Sequence, residues 1–177
     1  NQKGGVGKTT TVINLAAGLT RLNKKILVID LDPQGNATTG LGLSNVDNSS
    51  DTIYGVLNGT RQINEIIKRT QFENLDIITS NVDLSGLEVE TADDSNRAFI
   101  LKTKLSPYLN NSRGSYDYVL IDCPPSLSLR TVMALVCSNS LLVPLQTEFF
   151  ALEGLTQLIK TIERIKVNLN PDLKIRG

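Results

Sequence analysis

The chain has 177 residues and a mass of 19.3 kDa, the size of one ordinary domain with room for a real core. Its 18 Lys+Arg balance 18 Asp+Glu, so no overall basic field draws it to nucleic acid or an anionic membrane, and any such partner must meet a local patch. With no histidine, no tryptophan, two cysteines and 5% aromatics, it lacks the usual general base, every Ser-His-Asp or Cys-His arrangement, nearly every zinc site and a platform for base stacking.

Chemistry must therefore rest on Lys, Asp, backbone amides or a metal. A glycine-rich loop occupies the start of the chain, and such a loop normally leaves the end of a β-strand, so the first strand is expected upstream of Asn1. Val12, Ile13, Leu15, Ala16, Leu19 and Leu22 follow the loop at helical spacing over Thr9 to Leu22. Ile26-Leu-Val-Ile29 reads as a buried parallel strand ending at Asp30. Residues 33–50, rich in Gly, Asn, Ser and Thr, read as a loop with at most a short helical turn. Asp51 is expected to cap a short helix through Leu57 that Gly59 ends, and Ile63 to Lys68 to add another turn. Leu75-Asp-Ile-Ile78 reads as the next strand.

From Asp83 the pattern predicts a long helix to about Leu105, with Leu84, Leu87, Ala98, Leu101 and Leu105 inward and a polar middle from Glu88 to Arg97. Tyr116 to Ile121 reads as a strand ending at Asp122, and Pro124-Pro125 forbids its continuation. Leu127 to Val136 is predicted helical, Leu141 to Val143 a strand, and Leu152 to Val167 an amphipathic helix stopped before Asn170-Pro171. The close at Lys174 to Gly177 falls where a further strand could begin. Alternation of apolar strands with helices predicts an α/β fold, three layers with a mostly parallel sheet flanked by helices, in one domain over 1–177 that is cut at both ends. Cys123 and Cys137 read as buried cytosolic thiols, and no apolar run reaches membrane-spanning length.

Lys3-Gly4-Gly5-Val6-Gly7-Lys8-Thr9-Thr10 is the strongest signal. The ordinary phosphate-loop pattern would put a glycine at position 2, where Gln2 stands, yet the physical parts remain. Three glycines let amides turn inward, and a helix N-terminus follows to stabilise negative charge. Lys8 can reach the β- and γ-phosphates, and the Thr9 hydroxyl can ligate Mg²⁺. Asp122, at the end of an apolar strand, stands where a carboxylate holds Mg²⁺ directly or through water. Asp30 and Asp32 could each orient water or a metal-bound water near the γ-phosphate.

The octet, with its extra lysine before the double glycine, resembles the deviant Walker A motif of the ParA/MinD group of P-loop ATPases. Asp30-Leu-Asp-Pro-Gln-Gly-Asn-Ala-Thr38, Asp122-Cys-Pro-Pro-Ser-Leu127, and the stretch Pro144-Leu-Gln-Thr-Glu148 through Ala151-Leu-Glu-Gly-Leu155 resemble the ParA/Soj partitioning branch. The likeness runs from Asn1 to about Leu158. It implies an ATP- and Mg²⁺-dependent ATPase in which two protomers sandwich two nucleotides, with Lys3 reaching the partner's nucleotide like an arginine finger in trans and Asp32 positioning the attacking water. Asp30 would then support the Mg²⁺ shell, through water, or the loop.

The resemblance also implies a cytoplasmic, nucleoid-associated protein. It would be a homodimer on ATP binding, with non-specific double-stranded DNA and a ParB-type DNA-binding protein as partners and no membrane. Arg130 departs from the family, which usually has an apolar residue there. Two other readings share the deviant loop: a MinD-like membrane-associated positioning ATPase, which needs a C-terminal amphipathic helix, and a reductase like the nitrogenase iron protein, whose cluster cysteines do not look like Cys123 in placement.

Overall fold

The computed structural model describes residues 5–43, 48–110, 116–145 and 151–177. Strand β1, Ile26–Asp30, lies at the middle of a four-stranded sheet and is buried along its whole length. Its five residues are apolar up to the terminal aspartate because both faces are covered: Ile26 and Val28 pack with Ala16, Ala37 and Leu41 on one side, and Leu27 and Ile29 with Leu101, Leu105 and Met133 on the other. Each buried Ile, Leu, Val or Met side chain here contributes about 1.5–3 kcal/mol. β3, Leu75–Ile78, and β4, Tyr118–Asp122, run parallel to β1 on either side, with Asp30 opposite Asp122 in register. The expected mainly parallel sheet is present.

Its far edge was not foreseen. α4, Ile63–Ile66, is a single turn held by a reciprocal capping box between Gln62 and Glu65. The chain then extends at once into β2, Ile67–Arg69, antiparallel to β3. The predicted turn through Lys68 thus gives way to a short strand whose Lys68 and Arg69 suit an exposed edge.

α1, Lys8–Thr20, covers one face of the sheet and ends on Asn23 in a left-handed conformation, with the Lys24 N–H donating to the Leu19 carbonyl at 3.2 Å. α2, Asn36–Gly40, is the helical turn anticipated between 33 and 50. Asp51 proves to lie in the 3-10 turn Ser49–Asp51, and the cap of α3, Ile53–Leu57, is Thr52, whose hydroxyl accepts from the Tyr54 N–H at 3.2 Å.

The long helix expected from 83 to 105 is broken. A 3-10 turn, Val82–Gly86, leads into α5, Leu87–Glu90, and only after a second 3-10 turn, Arg97–Phe99, does α6, Ile100–Asn110, begin. Leu84, Leu87, Leu101 and Leu105 are buried as predicted, but between the pairs the side chain of Asp94 accepts from the Asn96 N–H at 2.7 Å and Thr91 bonds back to Leu87. Such local bonds compete with the helical ladder, and no apolar face exists there to outweigh them.

α7, Leu129–Cys137, packs its Met133 and Ala134 under β1, while Leu135 and Val136 meet Leu158, Ile162 and Ile165 of α8, Ala151–Asn168. β5, Ser140–Leu141, and β6, Lys174–Ile175, pair in parallel as a separate sheet, shorter than the strand predicted through Val143. Asn170 ties this part together, donating to the carbonyls of Leu135 at 2.7 Å and Ser138 at 2.8 Å. Between β4 and the β5–β6 pair lies an apolar cavity of about 200 Å³, lined by Val12, Leu15, Val119, Ile121, Leu141 and Leu158 among others. No helix among the described residues is long and apolar enough to cross a membrane.

Candidate functional site

The sheet brings the carboxyl ends of β1, β3 and β4 to one edge, where ligands of open parallel sheets bind, and α1 begins at that same edge. Gly5 and Gly7 take φ values of +80° and +84°, which side-chain-bearing residues rarely adopt, and nothing lies within 4 Å of where a Cβ would project from either. The first helical bond of α1 runs from the Thr11 N–H to the Gly7 carbonyl at 2.8 Å. The amides of Thr9 and Thr10 therefore precede the ladder, at the end of the helix where partial positive charge gathers. Val6 is buried and anchors the loop. Lys3 and Gly4 lie outside the described residues, as do Gln146 to Glu148.

Thr9 sits in the first turn at this anion-binding end, and its hydroxyl donates to Asp122 Oδ2 at 2.7 Å, across 113 residues of sequence. The second oxygen, Asp122 Oδ1, is buried without a hydrogen-bond partner. Burial pushes the Asp122 carboxyl up to about 6, the Thr9 bond and Lys8 pull it down, and Asp30 and Asp32 raise it further. A buried carboxylate oxygen with no donor, beside a threonine hydroxyl and a phosphate-type loop, suits a divalent cation held by few protein ligands, as Mg²⁺ usually is. Among the described residues no three carboxylate, cysteine or histidine side chains form an all-protein metal cage.

Asp30 is fully buried, and its two oxygens accept three bonds: from the Asp32 N–H at 3.0 Å, the Thr38 N–H at 2.9 Å and the Thr38 hydroxyl at 2.8 Å. Of the two roles expected for Asp30, these are the bonds of a residue that builds the loop. Burial raises its carboxyl and the Thr38 bonds oppose that shift. Asp32, 6% exposed, uses Oδ1 to accept from the Gln34 N–H at 3.0 Å, closing a tight turn. Gly35, with φ +62°, caps α2 where a Cβ would stand 3.3 Å from the Ser80 carbonyl.

Thr38 had no assigned role in the sequence, although it closes the motif that begins at Asp30. The signal for it was its type and place: a hydroxyl in the first turn after a glycine-bearing loop. Arg130 finds its explanation as well. Its side chain is 12% exposed, donates to the Leu84 carbonyl at 3.3 Å and pairs with Glu88 at 3.4 Å, so it ties α7 to the turn 82–86 and α5. Both cysteines are free and pack against the main core. Desolvation pushes the Cys123 thiol up to about 12 and the Cys137 thiol up to about 11, the opposite of what a thiolate ligand of a cluster needs.

A family model described as an AAA domain matches residues 1–175. The chain is 50% identical over 177 residues to the chromosome partitioning protein ParA of Myxococcus xanthus, of which it covers 61%. It is 46% identical to the sporulation initiation inhibitor protein Soj of Bacillus subtilis and covers 68% of that protein. Among solved structures it resembles cobyrinic acid a,c-diamide synthase from Mycobacterium smegmatis with bound ATP analog and magnesium, with a TM-score of 0.91 and 38% identity over all of this chain and 70% of that one. The chain thus spans roughly two thirds of the length of the curated relatives it matches. From the domain match and the alignment of all of its residues with ParA and Soj, the chain belongs to the AAA domain family, in its ParA/Soj group.

Proposed function

We propose that the chain is the nucleotide-binding domain of a Mg²⁺-dependent ATPase that dimerises on ATP, binds double-stranded DNA without sequence preference, and drives chromosome or plasmid partitioning with a ParB-type DNA-binding partner. The observation that carries the ATPase reading is the 2.7 Å bond from Thr9 to Asp122 at the N-terminus of α1, with Asp122 Oδ1 left bare. The ATP analog and magnesium in the M. smegmatis structure support it. Partitioning, with the cytoplasmic and nucleoid location it entails, rests on the names of the relatives.

In this reading residues 4–10 wrap the phosphates with backbone amides, and Lys8 neutralises the β- and γ-phosphate oxygens. Thr9 and Asp122 are the protein groups that hold Mg²⁺, which supplies charge neutralisation on the phosphates. Asp32 orients the attacking water from its rigid turn, and Lys3 completes the site from the partner protomer. Phosphoryl transfer to water needs little covalent help and much positioning, so a site lacking histidine loses nothing.

Lys3→Gln is expected to keep nucleotide affinity while ATP-dependent dimerisation disappears and turnover falls about 10³-fold, the order of a finger supplied in trans. Light scattering and phosphate release on one sample check both, and turnover at the unaltered rate contradicts the role. The partitioning half predicts that the intact protein shifts a non-specific DNA duplex only with ATP and less as salt rises. Failure to bind at low salt with ATP present removes DNA from the account.

A further inference from the structure

The loop that carries Asp32 is held through a hydroxyl outside the phosphate cradle. Thr38, 4% exposed on α2, uses both capacities of its Oγ1: it donates to Asp30 Oδ2 at 2.8 Å and accepts from the Ser80 N–H at 3.0 Å. Its own amide gives Asp30 Oδ2 a second bond at 2.9 Å, and Asp30 Oδ1 in turn takes the Asp32 amide at 3.0 Å. One continuous path of buried hydrogen bonds thus runs from the end of β3 through Thr38 and the end of β1 to the backbone of Asp32. The Asp32 carbonyl closes the turn by accepting from the Gly35 N–H at 2.9 Å.

We infer that Thr38 is a positioning residue for ATP hydrolysis, setting the place of the Asp32 carboxylate by locking Asp30 and the β3 end to the loop between them. The inference rests on the reading of Asp32 as the group that orients the attacking water. A valine at 38 matches threonine in shape but leaves the Ser80 N–H buried without an acceptor and strips Asp30 of one of its three donors. The loop must then shift to recover those bonds. A displacement near 1 Å at a group that orients a nucleophile costs on the order of 10²-fold in rate, while the glycine loop and Lys8, on a separate element, stay in place.

The test is steady-state ATP hydrolysis by the intact protein beside the Kd of a non-hydrolysable ATP analogue. Thr38→Val is expected to lower kcat about 10- to 100-fold and to leave the analogue's Kd within about twofold. Thr38→Ser, which keeps the hydroxyl, should restore kcat to within about threefold of the parent. Parent-like kcat in Thr38→Val overturns the inference, and so does an equal loss of affinity and rate, which marks a purely structural role. If Thr38→Val does not fold, Thr38→Ser decides alone: retained kcat supports the hydroxyl's role, and a loss as deep as that of an Asp32 variant defeats it. Parent protein that hydrolyses no ATP strikes the proposed function itself, whereas parent turnover with an indifferent Thr38→Val strikes this inference only.

Discussion

Replacing Asp32 by alanine is expected to slow ATP hydrolysis by about 10²-fold or more while the protein still binds ATP, so that the ATP-bound dimer accumulates. The separation follows from placement. In the proposed function nucleotide affinity comes from the glycine loop, Lys8 and the Thr9–Asp122 pair on α1 and β4, whereas Asp32 stands on the loop after β1 and touches none of them through a described hydrogen bond. Alanine also removes the acceptor for the Gln34 N–H, a loss of about 1 kcal/mol in loop stability. Asp32→Asn keeps that acceptor and removes only the charge, and it should be nearly as slow. Phosphate release and size-exclusion chromatography with ATP check the pair of variants. Hydrolysis at the parent rate in either one contradicts the assignment.

Asp122→Asn is expected to change nucleotide binding and stability by different routes. Binding of ATP in the presence of Mg²⁺ should weaken at least about tenfold, because the carboxylate charge that draws the cation is gone. Stability without nucleotide should change with pH in a defined direction. The Asp122 carboxyl lies at about 6 in the folded chain against an ordinary 3.8, so the folded state holds that proton more tightly than the unfolded state. Its stabilising share is complete below about pH 4 and is lost as pH rises through about 6. At neutral pH the ionised buried group costs roughly 3 kcal/mol. Asparagine does not titrate, so the difference in unfolding free energy between the variant and the parent should move by about 2 kcal/mol in the variant's favour from pH 4 to pH 7. Urea melts at several pH values measure it, and a difference that stays flat with pH contradicts the burial argument.

The parts of this site that were legible in the sequence are those where one local pattern suffices. Apolar runs ending in aspartate marked β1 and β4, and β1, buried along its whole length, shows the unbroken apolar run of a strand covered on both faces. The glycine octet marked the start of α1 in spite of Gln2, since the left-handed backbone at Gly5 and Gly7 is what the turn requires. Pairing was harder. Nothing local distinguishes Ile67-Lys-Arg69 from the last turn of a helix until β3 lies alongside to take its hydrogen bonds.

The stretch from 83 to 105 failed for a related reason. Its inward leucines follow the helical period, but across Thr91 to Asn96 side chains bond their own backbone instead. Thr38 was invisible as a functional residue because its partners lie 8 and 42 positions away and meet it only once β1 and β3 are paired. Arg130 looked anomalous for lack of its acceptors, Leu84 and Glu88, which sequence alone could not bring to α7.

In the proposed site Lys8, Lys3 of the partner protomer, the Thr9 hydroxyl, Asp32 and Asp122 together hydrolyse ATP with Mg²⁺. Inorganic phosphate release from ATP by the intact protein, with Mg²⁺ and with the cation chelated, is the decisive measurement. Turnover is expected to require Mg²⁺ and to disappear in Lys8→Ala. Release that continues without the cation, or that survives the loss of Lys8, would contradict it.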